Sequence, residues 1–473
     1  MQNTKTKEQP ISHLDWGKNP LEVMPIRPNQ PWRVRVLVLV LALGLGVLWL
    51  EYARLSLGLP FVAQQKEEIR RGRVLLRSEQ GFVTLAESTG KAGNLKRHYP
   101  QGRLAAGVVG FLGKDKGLEG IEQFEEERLA RGQDLVLTLD PALQASAEAA
   151  LENAMLSSGA ESGTVVVLGT GTNKLLAVAN APSFDLANWN QAPKSAWINR
   201  AFRDTFDPGS TIKALVAAML VQEGIASPDT PIYAEMLRPF RNAPPVRDSI
   251  KHSPNLNLSE VLRYSSNVGI SRFADQLGPQ KLHEYLVKFG FGQKTWKNDP
   301  SLERNKLSDW QTWQPRDFAA HAFGQGFTST ALQLATAFSV IANDGKLITP
   351  ILYEGQDVPP PTRVISPQAA KATRKMLEYT VNQGIKLAQV PNYCVAGKTG
   401  TSETWQNGVK SASRFHALFA GMFPAQDPKV TIVVQLYAPK NQIHGSLVAA
   451  PVFRQIVLET AARYSIAPKS CGK

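Results

Sequence analysis

The stretch "FDPGSTIKALVAAML" (Phe206–Leu220) decides the reading of this chain. Ile212, Leu215, Val216, Met219 and Leu220 recur at helical spacing, which predicts a largely buried helix. Asp207-Pro208-Gly209 is a turn leading into it. Ser210 then falls near the helix N-terminus, and Lys213 sits one turn on, on nearly the same face. A buried lysine is costly unless it is paired or serves as a base. Other parts of the chain must account for it.

Two further triplets lie downstream. Ser265-Ser266-Asn267 falls between two helical stretches in "LSEVLRYSSNVGISRFADQLG", and Lys398-Thr399-Gly400-Thr401 lies on a strand-like run. Singly these are weak signals. Roughly two Ser-x-x-Lys matches are expected by chance in a chain of this length, and Ser88-Thr-Gly-Lys91 is another. Ser253-Pro-Asn255 duplicates the Ser-x-Asn pattern. Lys-Thr-Gly has a chance expectation of roughly 0.1, so it carries most of the information, and the order of the three adds more. A helix cap is the ordinary reading of Ser265 or Ser266, and a strand-end surface residue that of Lys398; both weaken once the motifs stand in order.

In this order the motifs resemble those of penicillin-binding proteins of the class B, transpeptidase-only type. "PSFD", "NRAFRDTFDPGSTIK", "SSNVGIS", "FGFG", "GQGFTSTALQLATAFSVIANDG", "VAGKTGT" and "AAPVF" extend the resemblance over about residues 135–460. "YPQGRLAAGVVGFLG" and "GLEGIE" resemble the family's membrane-proximal region, although the region is shorter here than usual. SSN followed by VGIS resembles the septal, division-type branch, since elongation-type relatives carry Asp third in that triplet.

The resemblance implies a role for each motif residue. Ser210 is the expected nucleophile on a D-Ala-D-Ala stem peptide, and Lys213 its base. Keeping a lysine neutral at pH 7 requires a depression of its pKa by roughly three units, on the order of 4 kcal/mol, which burial and the charge of Lys398 both favour. Ser265 is expected to relay the proton to the leaving amine. Asn267 is expected to bond Lys213 and the substrate amide. Lys398 would meet the substrate carboxylate, with Thr399 and Thr401 as hydroxyl donors and Gly400 allowing close approach. The backbone N–H groups of Ser210 and Thr401 would form the oxyanion hole. β-Lactams would acylate Ser210 and leave slowly. Neither cofactor nor metal is implied. The implied partners are peptidoglycan stem peptides, a polytopic glycan-polymerising glycosyltransferase and other division proteins.

Around this core, the 473 residues exceed one ordinary domain, and the net charge of +13 suits an anionic neighbour without identifying it. No nucleic-acid module, P-loop, dinucleotide fingerprint or HExxH pattern occurs. The two cysteines, Cys394 and Cys471, suggest neither a metal cluster nor a disulfide framework, a single disulfide being the less favoured alternative, and Cys394 reads as a buried strand residue. His252, His321, His416 and His444 fall in no ligand spacing and read as structural or surface residues.

The expected organisation is a disordered cytoplasmic tail (1–31), a transmembrane anchor (32–53), a small basic pedestal (54–135), the transpeptidase domain (136–465) and a short tail (466–473). The apolar run Val36–Leu50 is short for a ~30 Å hydrocarbon core, but Arg33 and Arg35 can snorkel and Trp32, Trp49 and Tyr52 suit the interfaces. Within the large domain, Asp140-Pro141 opens a helix, "GTVVVLGTGTNKLLAVANAP" reads as a hairpin, and helical segments dominate 208–385. Strands return in "YCVAGKTGT", "FHALFAGMF" and "KVTIVVQLY", before a closing helix in "LVAAPVFRQIVLETAARY". The fold class is therefore α+β, one antiparallel sheet covered by helices, and the resemblance implies the penicillin-binding transpeptidase and serine β-lactamase-like fold. The Phe323–Thr330 stretch, with two glycines, reads as a tight turn beside the site.

The competing functions are a carboxypeptidase of the same fold, an elongation-type transpeptidase, a β-lactamase, a penicillin sensor and an inactive division scaffold. A class A lactamase needs Glu-x-x-x-Asn after the second motif, and neither Glu284 nor Glu303 has Asn four residues on. A sensor would need a larger membrane portion, and a scaffold should have lost a motif residue. The chemistry places the catalytic domain outside the cytoplasmic membrane and the N-terminus inside.

Overall fold

The computed structural model describes residues 31–57, 70–91, 94–296, 306–406 and 409–471. The expected disordered tail and Glu303 lie outside these residues, apart from Pro31. The chain divides into two units, 1–67 and 68–473. In the first, helix α1 (Pro31–Ser56) has 26 residues and a mean hydropathy of 2.2 over its best window, with no buried side chains. At about 1.5 Å per residue it reaches about 39 Å, so the helix outruns the short apolar run and is long enough to cross a hydrocarbon core.

In the second unit, a four-stranded sheet of order β3-β2-β1-β4 forms from β1 (Val74–Ser78), β2 (Gly81–Thr89), β3 (Lys96–His98) and β4 (Leu135–Leu137). Its inner residues, Val74, Leu76, Leu135 and Leu137, join the same apolar core as the helices around Lys213. Glu122 is fully buried here between Arg71 and Arg97, each 2.7 Å away.

The large sheet joins strands from both ends of the chain. Strand β5 (Ser162–Gly169) and β6 (Leu175–Ala181) are the expected hairpin. Strands β7 (Ala396–Gln406), β8 (Val409–Phe423) and β9 (Val430–Tyr437) complete an antiparallel sheet of order β7-β8-β9-β5-β6. Alternation along each strand splits its apolar residues between two cores. Val165, Val167, Phe419 and Val434 pack with helix α2 (Pro141–Ser158) and the closing helix. Val166, Leu168, Leu418 and Val433 face the helical layer that contains α3 (Ile212–Gln222). Asp140 caps α2 by accepting from Ala142 and Leu143 N–H, as the Asp-Pro start predicts.

Helices α4 (Leu258–Arg263), α5 (Asn267–Leu277), α6 (Ala331–Ala342) and α7 (Pro367–Gly384) dominate the middle, and α8 (Gly445–Arg463) closes the chain. Short strands interrupt the helical stretch, notably the hairpin of Leu237–Phe240 with Ala243–Arg247, whose turn holds Asn242 at φ 58°. Asn tolerates that conformation better than most residues.

The less favoured alternative for the cysteines is the one that holds. Cys394 is buried as expected, but it is bonded to Cys471 across 77 residues, with Cα atoms 5.0 Å apart. The tail returns beside the strand entry: Lys469 N–H donates to Asn392 O at 2.8 Å, and the Tyr393 hydroxyl donates to Ile466 O at 2.9 Å. Sequence spacing carries no trace of this return.

Candidate active site

Ser210 sits in a single 3₁₀ turn, Gly209–Thr211, that runs directly into α3. The turn is held from outside. Gly209 takes φ 56°, and its N–H donates to Gly324 O at 2.9 Å. Phe206 and Ser329 exchange two backbone bonds, at 3.0 and 2.9 Å. The Phe323–Thr330 stretch is thus strapped to the turn that carries Ser210. A Cβ on Gly324 would lie 2.1 Å from Gly209 O, so only glycine allows this contact.

Lys213, in the first turn of α3, is fully buried. Its Nζ lies 2.5 Å from Ser265 O, 2.7 Å from Asn267 Oδ1 and 3.2 Å from Ser265 Oγ. Lys398, buried on β7, donates from Nζ to Ser265 Oγ at 3.0 Å. The first, second and third motifs therefore meet at one hydroxyl. The Ser210 hydroxyl is half-buried and is not among the hydrogen-bond partners of Lys213 in the described residues. Such contacts are often loose before substrate binds.

Two ammonium groups cannot comfortably share one serine. Burial pushes the Lys213 amine well below its ordinary range, the charge of Lys398 pushes it further down, and Asp248 acts in the opposite sense. Burial pulls Lys398 down to about 7. The hydrogen bonds fit a neutral Lys213. Ser265 O and Asn267 Oδ1 can only accept, so they take both protons of a neutral amine. Its lone pair is then left for the Ser265 hydroxyl, which in turn accepts from Lys398.

The Ser265–Asn267 turn is strained and heavily braced. Ser265 takes φ 54°. Ser266 caps α5, its hydroxyl accepting from Gly269 N–H at 2.8 Å. Asp248 accepts from the Ser266 hydroxyl and Asn267 N–H, both at 2.5 Å, and from Val268 N–H at 3.0 Å. Sequence reading did not single out Asp248. It lies in a loop after a hairpin and belongs to no spacing pattern.

Strand β7 is the edge of its sheet. Gly400 brings it against the Ser210 turn at the start of α3: a Cβ there would sit 3.1 Å from Thr211 Cγ2. Thr401 O and Ser402 Cβ lie 3.5 and 3.4 Å from where a Gly209 Cβ would be, so Thr401 and Ser210 are neighbours. Alternation sends Thr399 and Thr401 to the face opposite Lys398, both half-buried, and Thr401 Oγ1 accepts from Gly445 N–H at 3.5 Å. A cleft of about 570 Å³, lined among others by Phe206, Asp207, Thr404 and His416, flanks the motifs. Burial holds His416 neutral, pulling its pKa to about 3.

The look-alike motifs are not built this way. Lys91 is exposed just beyond β2, Ser253 is exposed on a loop, and Asn255 is exposed at the start of a short strand.

Residues 163–458 match the family described as the penicillin binding protein transpeptidase domain. The chain belongs to this family. It is 31% identical over 398 residues to the probable peptidoglycan D,D-transpeptidase PenA of Neisseria meningitidis, covering 77% of this chain and 68% of that one. It is 30% identical over 395 residues to the peptidoglycan D,D-transpeptidase FtsI of Escherichia coli K12, covering 76% of this chain and 66% of that one. Among solved structures, penicillin binding protein 3 of Mycobacterium tuberculosis superposes with a TM-score of 0.79 at 28% identity, covering 85% of this chain and 98% of that one. That protein has also been crystallised with aztreonam and with ampicillin. In this penicillin-binding protein the three motifs fall inside the matched stretch.

Proposed function

We propose that this chain is a class B, division-type D,D-transpeptidase that cross-links peptidoglycan stem peptides through an acyl-enzyme on Ser210, and that β-lactams inhibit it. One observation carries the mechanism: Lys213 and Lys398 converge on Ser265 Oγ, at 3.2 and 3.0 Å, beside the turn that holds Ser210.

The stem peptide lies extended along the open edge of β7, whose unpaired backbone groups accept an added strand. Lys398 meets the terminal carboxylate. The neutral Lys213 amine takes the Ser210 proton as Oγ attacks the penultimate D-Ala carbonyl. The N–H groups of Ser210 and Thr401 receive the developing oxyanion. The proton passes through Ser265 to the departing D-Ala amine, and Asn267 holds Lys213 in place throughout. The amine of a second stem peptide then attacks the ester and forms the cross-link.

The α1 helix serves as a single anchor in the cytoplasmic membrane, with the N-terminus inside and the catalytic unit outside. The Cys394–Cys471 disulfide supports this placement independently, because such bonds persist in oxidising compartments and not in the cytosol. A polytopic glycan-polymerising glycosyltransferase and other division proteins are the proposed partners. The membrane-proximal residues 54–135 act as the pedestal.

The test is labelling of the purified protein with a fluorescent penicillin, followed by a denaturing gel. A band that survives denaturation and is lost in Ser210→Ala is the expected result. A folded wild type that takes no label refutes the acyl-enzyme. A stem-peptide assay with and without an acceptor amine then separates cross-linking from hydrolysis.

A further inference from the structure

Directly behind the Ser265–Asn267 turn lies a buried carboxylate–imidazole pair. The side chains of Asp248 and His252 are 1% and 0% exposed, and Nε2 of His252 donates to Asp248 Oδ2 at 2.8 Å. The two carboxylate oxygens divide their work. Oδ1 accepts from Asn267 N–H and Val268 N–H, while Oδ2 accepts from the Ser266 hydroxyl and from His252. A charged carboxylate in so dry a place requires this number of donors.

The preceding residue completes a clamp. Arg247 O accepts from Asn267 Nδ2 at 2.8 Å. This contact orients the Asn267 amide, because the opposite flip would set Oδ1 against the Arg247 carbonyl, two acceptors, and turn the amide N–H groups toward the Lys213 protons. With Nδ2 on Arg247, Oδ1 must face Lys213, and it does, at 2.7 Å. Residues 247 and 248 therefore fix both the main chain and the side chain of Asn267. They also brace the turn next to Ser265, a serine held in the left-handed region that needs its surroundings to keep it there.

We propose that Asp248, backed by His252, is a positioning residue for acyl transfer: it locks the Ser265–Asn267 turn so that both side chains meet Lys213. This rests on the acyl-enzyme reading above. Its charge has a second consequence. Lys213 faces Ser265 and Asn267 from the turn, Lys398 from β7 and Asp248 from behind, and of the charged groups Asp248 alone favours the protonated amine.

The experiment measures the acylation rate of the full chain in detergent by a fluorescent penicillin between pH 6 and 10, for wild type, Asp248→Ala and Asp248→Asn. Thermal unfolding gives the folded fraction. Asn keeps an oxygen for the two N–H donors and offers its amide to the Ser266 oxygen, so the turn is retained while the charge is lost. Ala loses both. Asp248→Ala should acylate about 100-fold more slowly per folded molecule, the scale of a misplaced catalytic group. Asp248→Asn should lose about tenfold or less, and the acid limb of its pH profile should move to lower pH by about half a unit or more, because the charge favouring protonated Lys213 is gone.

A merely structural cap would lower the melting temperature and leave both rate and limb in place. Wild-type rates in folded Asp248→Ala overturn the assignment. If Ala does not fold, an Asn variant with unchanged rate and unchanged limb overturns it. A wild type that takes no label overturns the acyl-enzyme reading and this assignment together, whereas a labelled wild type with indifferent variants overturns this assignment alone.

Discussion

Replacing Lys398 with Met should make the protein more stable at neutral pH while abolishing its reaction. Lys398 is 1% exposed, and burial brings its titration from 10.5 to about 7. That displacement corresponds to about 5 kcal/mol of destabilisation of the folded state at neutral pH. Against it stand the bonds to Ser265 Oγ at 3.0 Å and Thr399 O at 3.1 Å, at about 1 kcal/mol each. Met fills similar space without a charge, so a net gain of about 3 kcal/mol at pH 7 is expected. The pH dependence follows from the unfolded chain binding the extra proton between about 7 and 10.5. Wild-type stability therefore rises with pH across that window, by about 1.4 kcal/mol per unit, while the Met variant lacks this contribution. The advantage of Met should be fully present below pH 7, close to nothing near pH 9, and reversed above. Chemical denaturation of both proteins at pH 7 and 9 measures it, and penicillin acylation reports the lost reaction. A Met variant no more stable than wild type at pH 7, with a difference unchanged at pH 9, would refute the argument that a buried ammonium strains this site.

Other parts of the fold make separate predictions. Gly324→Ala would drive a Cβ to 2.1 Å from Gly209 O at a residue with φ 78°, so the strap on the Ser210 turn must open; acylation should drop about 100-fold in kinetic labelling while the protein remains folded. Glu122→Ala removes the carboxylate that Arg97 and Arg71 share, leaving Arg71 with Glu126 alone, and should cost about 3 kcal/mol in a denaturant titration, with the acylation rate of the folded fraction unchanged. Reducing Cys394–Cys471, or replacing Cys471 with Ser, frees a 77-residue loop and should cost about 2–4 kcal/mol; limited proteolysis should then clip the tail first.

The sheet and its covering helices were legible because their signals are local. The "GTVVVLGTGTNKLLAVANAP" hairpin and the Asp-Pro start of α2 each appear within a few residues, and the structure places both as read. The long-range features were not legible from spacing. Cys471 meets Cys394 only because the chain end returns beside Asn392, and Asp248 meets Ser266 only because a hairpin folds back against α5. Both contacts join residues whose local sequence is ordinary.

The motif residues could be found for the opposite reason: each breaks a local rule. Lys213 interrupts an apolar helix, Ser265 takes a conformation that suits glycine, and Lys398 lies buried in a strand. Each departure costs stability unless the surroundings offset it, and the structure shows different offsets at each. Lys213 gives up its charge. Ser265 is wedged between Leu262 O, which accepts its N–H at 3.1 Å, and the Asp248-bound residue that follows. Lys398 has only partial relief, two oxygen acceptors and no carboxylate among its described partners. It is therefore the motif residue whose charge the protein alone satisfies least, and a substrate carboxylate would complete its set. Binding of a β-lactam or a stem peptide should accordingly raise the Lys398 pKa and take up a proton near pH 7, which calorimetry in buffers of different ionisation enthalpy detects. Proton release on binding to Ser210→Ala, or no exchange at all, would contradict this role for Lys398.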